Sequence, residues 1–329
     1  MKKNIIVLSL ILTVTIPFHA QESSDIIDTG AANFLTIATD ARSAGMGGAG
    51  VALAGSDNAI FGNASTALLD KERKAGVSYT FVPWMRDYTS GYSLHNLGGY
   101  YKINRRNAVL AGFRFFNYPS FKAIQSEETT GKKIHPKEFA VDLGYAYEVF
   151  NNFAISATVK FIRSDMGNLA GAKAANAVAA DLGISYQGNI NLFEGTSWTA
   201  GAQVSNMGPK IKYLHTKMSL PAQAKLGGSI TMPFSNIHKL MVTADGGYRM
   251  MPSDMKAFGA SAGAEYTLAN TVMIRGGYHY GDEDKGDFSF ASAGAGVAYM
   301  GAHLDFSWLI AGSDSKARNT FWVSLGYSF

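Results

Sequence analysis

The chain of 329 residues contains no cysteine, which excludes a disulfide-stapled scaffold, a thiolate metal site and a lipoprotein anchored through cysteine. Proline is scarce, at 8 residues, and only 16% of the chain is charged, little for a soluble helical domain. No charge of one sign dominates. The net charge of +4 is weak and scattered, so no nucleic-acid partner is expected. Beyond the N-terminal stretch, no apolar run approaches the roughly 20 residues that a membrane-spanning helix needs.

Catalytic patterns are missing too. The histidines at 19, 95, 135, 215, 238, 279 and 303 are dispersed and show no H-E-x-x-H spacing. One G-x-S-x-G occurs, Gly259 to Gly263, but inside a predicted strand rather than on the strand-to-helix turn of a nucleophile elbow. His303, Asp305 and Ser307 share one face of another predicted strand. Alternate residues there are expected to stand too far apart for direct triad hydrogen bonds, leaving a polar cluster. The sequence therefore predicts no enzyme, no cofactor and no metal.

What is abundant is glycine (36), phenylalanine (20) and tyrosine (16), the composition of many strands. Met1, Lys2 and Lys3, the apolar run Ile5 to Phe18 and the small Ala20 read as an export signal over 1–20, with the mature chain starting near Gln21. From about residue 74, apolar and small or polar residues alternate. Phe139, Val141, Leu143, Tyr145 and Tyr147 oppose Ala140, Asp142, Gly144, Ala146 and Glu148, and comparable alternation recurs at 153–161, 178–187 and 303–310. At the C-terminus, Phe321, Val323, Leu325, Tyr327 and Phe329 fall on one face. Lipid on one side and an aqueous lumen on the other explain this dyad.

The parse gives fourteen strands near 75–82, 90–102, 107–117, 138–149, 152–163, 177–187, 197–206, 221–232, 238–249, 257–268, 271–281, 287–299, 302–311 and 320–329. Tight connections such as 103–106, 234–237 and 269–270 alternate with long ones such as 119–136, 164–175 and 207–220, and 188–196 is a long exception. The expectation is an all-β outer-membrane barrel over 74–329 in a Gram-negative bacterium, in contact with outer-membrane lipid and with both termini periplasmic on the short-turn side. Tyr327 and Phe329 supply the terminal aromatic signal for barrel-assembly machinery. Tyr79, Phe81, Trp84, Tyr100, Tyr101, Tyr145, Trp198, Tyr278, Tyr280 and Trp308 are candidates for interfacial girdles. Asp142, Glu148, Lys160, Asp181, Lys225, Asp245, Glu265, Arg275, His279 and Asp305 face the lumen. Their mixed signs suit ion pairs rather than a single-sign selectivity ring. Met250, Met251 and Met255 offer either an adaptable apolar contact or a loop anchor.

The stretch 21–73 reads differently. Gly45, Gly47 and Gly50 fit G-x-G-x-x-G with Asp70 at the distance of a ribose-binding acid, but no βαβ pattern follows and the signal directs the chain out of the cytoplasm. The segments DARSAGMGGAGVA and SDNAIFGN, carried by Asp40, Arg42, Gly45, Gly47 and Asn63 among others, resemble the N-terminal signature of the PorV/PorQ branch of FadL-like outer-membrane barrels, and these residues with Gly48 are the candidate plug motif. Ala64 and Ser65 stand where that signature has Pro-Ala. The resemblance implies that 21–73 folds as a plug inside the barrel. It also implies a type IX secretion component that binds exported proteins or secretion-machinery subunits. The alternative is a FadL-like passive transporter for a hydrophobic small molecule.

Overall fold

The computed structural model describes residues 28–329 except 88, 124–131, 168–172, 215, 313–314 and 316; the expected export signal 1–20, and the chain up to residue 27, lie outside the described residues. No described helix is long and apolar enough to cross a membrane. The strands are β1 (Ala75–Pro83), β2 (Ser93–Asn104), β3 (Asn107–Asn117), β4 (Phe121–Ala123), β5 (Lys132–Ile134), β6 (Lys137–Phe150), β7 (Phe153–Asp165), β8 (Ala175–Asn189), β9 (Ser197–Met207), β10 (Ile211–Tyr213), β11 (Thr216–Met218), β12 (Gln223–Pro233), β13 (His238–Arg249), β14 (Ala257–Leu268), β15 (Val272–Tyr280), β16 (Phe290–Tyr299), β17 (Ala302–Ile310) and β18 (Phe321–Ser328).

Fourteen of them close a barrel in the order β1-β18-β17-β16-β15-β14-β13-β12-β9-β8-β7-β6-β3-β2. All are the strands predicted from the period-two pattern. On β6, Val141, Leu143, Tyr145 and Tyr147 are exposed while Ala140, Asp142, Ala146 and Glu148 are buried. Only a surface apolar outside and enclosed inside sustains that alternation around a whole circuit. Closure also pairs every wall strand on both edges, which a bilayer demands. The seam joins the first and last strands from Gly76↔Ser328 to Phe81↔Val323, and the Phe329 amide donates to the Ala75 carbonyl at 3.0 Å.

One rim carries the short turns. At two of them the chain takes left-handed φ at both central positions, Ala269 and Asn270 (51° and 52°) and Met300 and Gly301 (49° and 84°), the requirement of a type I′ hairpin. The opposite rim carries the long connections. Two contain hairpins that the sequence reading did not anticipate, β4–β5 and β10–β11, because three-residue strands leave no periodic signal. Trp84 and Tyr100 depart from the expected girdle. Tyr100 occupies an inward position of β2 and is buried. Trp84 lies past the end of β1 and sets its edge against Trp322 at 6.3 Å, inside the mouth.

Residues 28–74 run through the lumen from one rim to the other. The segment starts among the long loops, where the Asp28 carboxylate accepts from the Ser219 amide and hydroxyl (Oδ2 at 3.1 and 2.7 Å). It ends at the short turns, where the Lys74 amide meets the Phe329 carbonyl. Phe329 thus lies at the short turns, as expected for the C-terminal end, whereas the expected mature N-terminus near Gln21 lies outside the described residues. The described N-terminal segment begins at the other rim because it descends the lumen before entering β1.

Candidate functional site

The segment contains one turn of α-helix, α1 (Ala41–Ala44), and Asp40 caps it: its Oδ1 accepts from the Ser43 amide at 2.8 Å and its Oδ2 from the Ser43 hydroxyl at 2.8 Å. The cap satisfies donors that a buried helix start would otherwise leave open. It also aims Arg42 at the wall. Arg42 Nε and Nη2 donate to Glu265 Oε2 and Oε1 at 3.0 and 2.9 Å, a bidentate pair. Glu265 also accepts from Arg275 Nε at 2.6 Å, and Arg275 Nη1 reaches Asp305 Oδ1 at 2.6 Å. Asp305 Oδ2 meets His303 Nδ1 at 2.7 Å, and His303 Nε2 meets Asp57 Oδ2 at 2.9 Å. Six ionisable side chains thus form a circuit that leaves the segment at Arg42, crosses β14, β15 and β17, and returns at Asp57.

The His303–Asp305 contact corrects the sequence expectation that alternate residues on one strand cannot meet. Both side chains lean along the strand and close the gap. Ser307 does not join them; its hydroxyl donates to the Ala41 carbonyl. A second group stands on the other wall. Arg114 Nη2 meets Asp142 Oδ1 at 3.0 Å, and Lys160 Nζ meets Asp181 Oδ2 at 2.5 Å and donates to Asn206 Oδ1 at 2.8 Å. Asp181 Oδ1 accepts the Asn206 amide at 2.7 Å, next to the register shift at Ala180/Leu182 where β8 meets β9. Arg114 also faces the Phe61 ring at 5.0 Å.

The remaining candidates are distributed along the segment. Asn63 Nδ2 donates to the Val51 and Ile184 carbonyls at 3.1 and 2.8 Å, while its Oδ1 accepts from the Ser65 hydroxyl at 2.7 Å, bridging segment and wall without the expected proline. Gly47 (φ 71°) presses its backbone onto β15: a Cβ there would stand 2.4 Å from the Tyr278 carbonyl oxygen, and one on Gly277 would stand 2.3 Å from the Gly47 nitrogen. Only glycine admits that approach on both sides. Gly48 also takes a positive φ (82°), whereas Gly45 closes α1 in ordinary helical conformation. Asp245 accepts the Gly50 and Val51 amides at 2.6 and 2.9 Å, Lys71 pairs with Glu148 at 2.8 Å, and Lys225 lines the outer cavity. Tyr327 and Phe329 lie apart from this group, at the seam, with their rings exposed on the outer face.

The G-x-S-x-G serine has partners that the sequence did not indicate. Ser261 Oγ lies 2.9 Å from His279 Nδ1, and His279 Nε2 lies 3.0 Å from Asp287 Oδ1 in the β15–β16 loop. The nitrogens are used in the reverse order of a hydrolytic triad. The nearby Gly47 and Gly48 amides are committed to Ser292 Oγ and the Ser43 carbonyl. The chain of contacts fastens a loop to the wall. Among the described residues no group of three or more His, Asp or Glu is arranged to hold a metal.

The segment divides the lumen into two cavities. The one at the long-loop rim, about 490 Å³, is bordered by Phe34, Trp84, Tyr92, Phe116, Tyr118 and Trp322. The one at the short-turn rim, about 850 Å³, is bordered by Arg42, Asp57, Arg73, Glu265, Arg275 and His303. Asp40, Ser56 and Asn58 touch both. Arg114, Glu138 and Asp57 were not recognised from sequence as members of the site. Arg114 is the single charge in an aromatic run, Glu138 accepts from the Tyr118 hydroxyl at 2.6 Å, and Asp57 belongs to the SDNAIFGN patch.

A closed, even-numbered antiparallel barrel with an apolar outer face and a chain segment in its lumen is an outer-membrane barrel of the FadL type. Solved structures of similar fold include the Ralstonia pickettii toluene transporter TbuX (17% identity, TM-score 0.56, covering 88% of this chain and 97% of that one). They also include the Pseudomonas putida toluene transporter TodX (13%, 0.58, 89% and 98%) and a Pseudomonas aeruginosa FadL homologue (10%, 0.50, 88% and 98%). No curated protein matches. The family model of the type IX secretion system protein PorV matches residues 19–256, and the chain belongs to that family. It is a protein of the outer membrane, and its barrel has the fold of these structures.

Proposed function

We infer that this chain is a type IX secretion component that binds exported cargo or partner proteins at its long-loop mouth. The observation that carries this reading is the family match across 19–256. The lumen agrees with it: residues 28–74, held at Arg42, Asp57, Asn63 and Gly47, act as a plug inside the barrel, which suits docking at the mouth rather than passage of a polypeptide through the bore. The export signal 1–20 is removed, Phe329 is read by the assembly machinery, and the short turns with the C-terminus face the periplasm. A second reading, passive transport of a hydrophobic small molecule, is favoured by the aromatic outer cavity, whose volume of about 490 Å³ is that of a small-molecule site.

The test is to purify the full-length barrel in mild detergent, identify what accompanies it, and measure export in a deletion strain. Co-purifying secreted or secretion-machinery proteins with an export defect support docking. An extractable apolar ligand with intact export supports transport and refutes docking, and a barrel with neither partner nor ligand and no export defect refutes both.

A further inference from the structure

The β1–β18 seam is the one wall pair that no connecting loop joins, because its strands come from opposite ends of the barrel sequence. It is also the shortest ladder of the wall. It runs from Gly76↔Ser328 to Phe81↔Val323, whereas β6 and β7 pair from Lys137↔Asp165 to Phe150↔Phe153. Elsewhere a connection keeps two neighbours close and lowers the entropic cost of re-forming a parted pair. At the seam, only the ladder and what lies against its inner face can do so.

What lies there is the luminal segment, and it crosses the seam at two levels. Nearer the short turns, His303, Gly326 and Ser78 stand in register across β17, β18 and β1. Asp57 Oδ2 meets His303 Nε2 at 2.9 Å, and Asn58 Nδ2 donates to Ser78 Oγ at 3.2 Å. Two consecutive residues therefore grip the strands on either side of β18. Gly326 makes room for this, since a Cβ there would stand 2.2 Å from His303 Nε2.

Nearer the long loops, Ser324, Thr80 and Asn96 stand in register across β18, β1 and β2. The Ala41 amide donates to Ser324 Oγ at 2.9 Å, and Asn96 Nδ2 donates to the Thr39 carbonyl at 3.1 Å. Between them Ser324 Oγ lies 2.7 Å from Thr80 Oγ1, across the seam itself. Trp322 Nε1 of β18 adds a bond to the Ala38 carbonyl at 2.9 Å. Ser78, Thr80, Asn96 and Ser324 are all buried, so water does not compete for these bonds and each counts for more than it would at a surface. We propose that residues 39–58 are the clasp of the seam: they hold β1 and β18 together from inside, and the seam is where the wall opens when they are displaced. The segment thereby governs the wall as well as the lumen.

The test is hydrogen exchange of the full chain in detergent, read at the amides of 76–81 and 323–328. D57A/N58A removes the grip from the segment side and S78A/S324A from the wall side, with no residue in common. Both should speed exchange at the seam about tenfold or more, the scale of two buried hydrogen bonds lost, while β6 and β7 keep wild-type protection. Q203A/S229A releases the same segment from β9 and β12, half-way round the ring from the seam. There Gln203 Nε2 donates to the Gly62 carbonyl at 2.7 Å and Ser229 Oγ to the Ala52 carbonyl at 2.9 Å; their loss should leave the seam unchanged. Because the chain has no cysteine, V77C/Y327C, at exposed register partners, can lock the seam with a disulfide and should restore slow exchange in D57A/N58A. Unchanged seam exchange in both double variants overturns the proposal. So does equal acceleration at β6 and β7 or by Q203A/S229A, and so does acceleration in D57A/N58A that the disulfide leaves in place.

Discussion

Replacing Arg42 by methionine should loosen the plug while leaving the barrel closed. The substitution removes a bidentate contact of two charge-assisted hydrogen bonds, each worth about 1.5–3 kcal/mol when well enclosed. Arg42 keeps a quarter of its side chain exposed, facing the inner cavity, whereas Glu265 is at 7%. That exposure reduces the sum to about 2–3 kcal/mol. Glu265 still holds Arg275 at 2.6 Å, so no buried charge is stranded. At about 1.4 kcal/mol per factor of ten, local opening should become about 30- to 140-fold more frequent. Hydrogen exchange of the purified protein should show this acceleration at the Ala41 to Ala54 amides, with β14 to β17 unchanged. E265Q should do more, about 3–5 kcal/mol, because two guanidinium groups lose their shared carboxylate. Unchanged protection of Ala41 to Ala54 in R42M would refute the role given to this pair.

G277V should push the plug off the wall, since a Cβ at Gly277 collides with the Met46–Gly47 backbone; limited proteolysis within 40–56 should rise sharply relative to wild type. For Asp28, burial acts to raise the pKa, but hydrogen bonds from Ser219, Gly30 and Lys210 outweigh it and hold the carboxyl below its ordinary 3.8. Its contribution is therefore complete above that value and is lost as pH falls below it, so exchange near Ser219 should quicken in acid, and D28N should reproduce the effect at neutral pH. A269N should stabilise the β14–β15 turn by about 0.5–1 kcal/mol, because asparagine tolerates the left-handed φ that alanine holds there, readable as a higher midpoint for heat-modified unfolding. Deleting Phe329, whose amide and carbonyl close the seam with Ala75, should reduce the heat-modifiable form in outer-membrane fractions; an unchanged amount would remove its assembly role.

The wall was legible because each strand meets two solvents. The residues of β6 or β8 report lipid and lumen by turns, and a 3.3–3.4 Å rise with period two is all the pattern needs. The site was legible only in part. Asp40, Arg42 and Asn63 stood out within a family signature, and Glu265, Arg275 and Asp305 as polar residues on alternating strands. Nothing in sequence joins Asp57 to His303, 246 positions away; barrel closure alone brings them together. Arg114 escaped because aromatic neighbours in FRFF suggest lipid, while its partner Asp142 sits one strand over. Backbone spacing alone separates His303 from Asp305, and the lean of the two side chains along the strand closes the gap to 2.7 Å.

The route of residues 28–74, in at one rim and out at the other as β1, imposes a topological condition. The segment is strung through a ring whose seam is made by the first and last wall strands. Once that ring has closed, the segment cannot leave as a stopper does, because its lower end is the wall itself and its upper end would have to be drawn the whole length of the bore. Laying the segment in place before β18 reaches β1 spares the chain that passage. Any opening thereafter must come from a bend or sideways shift of a tethered strap.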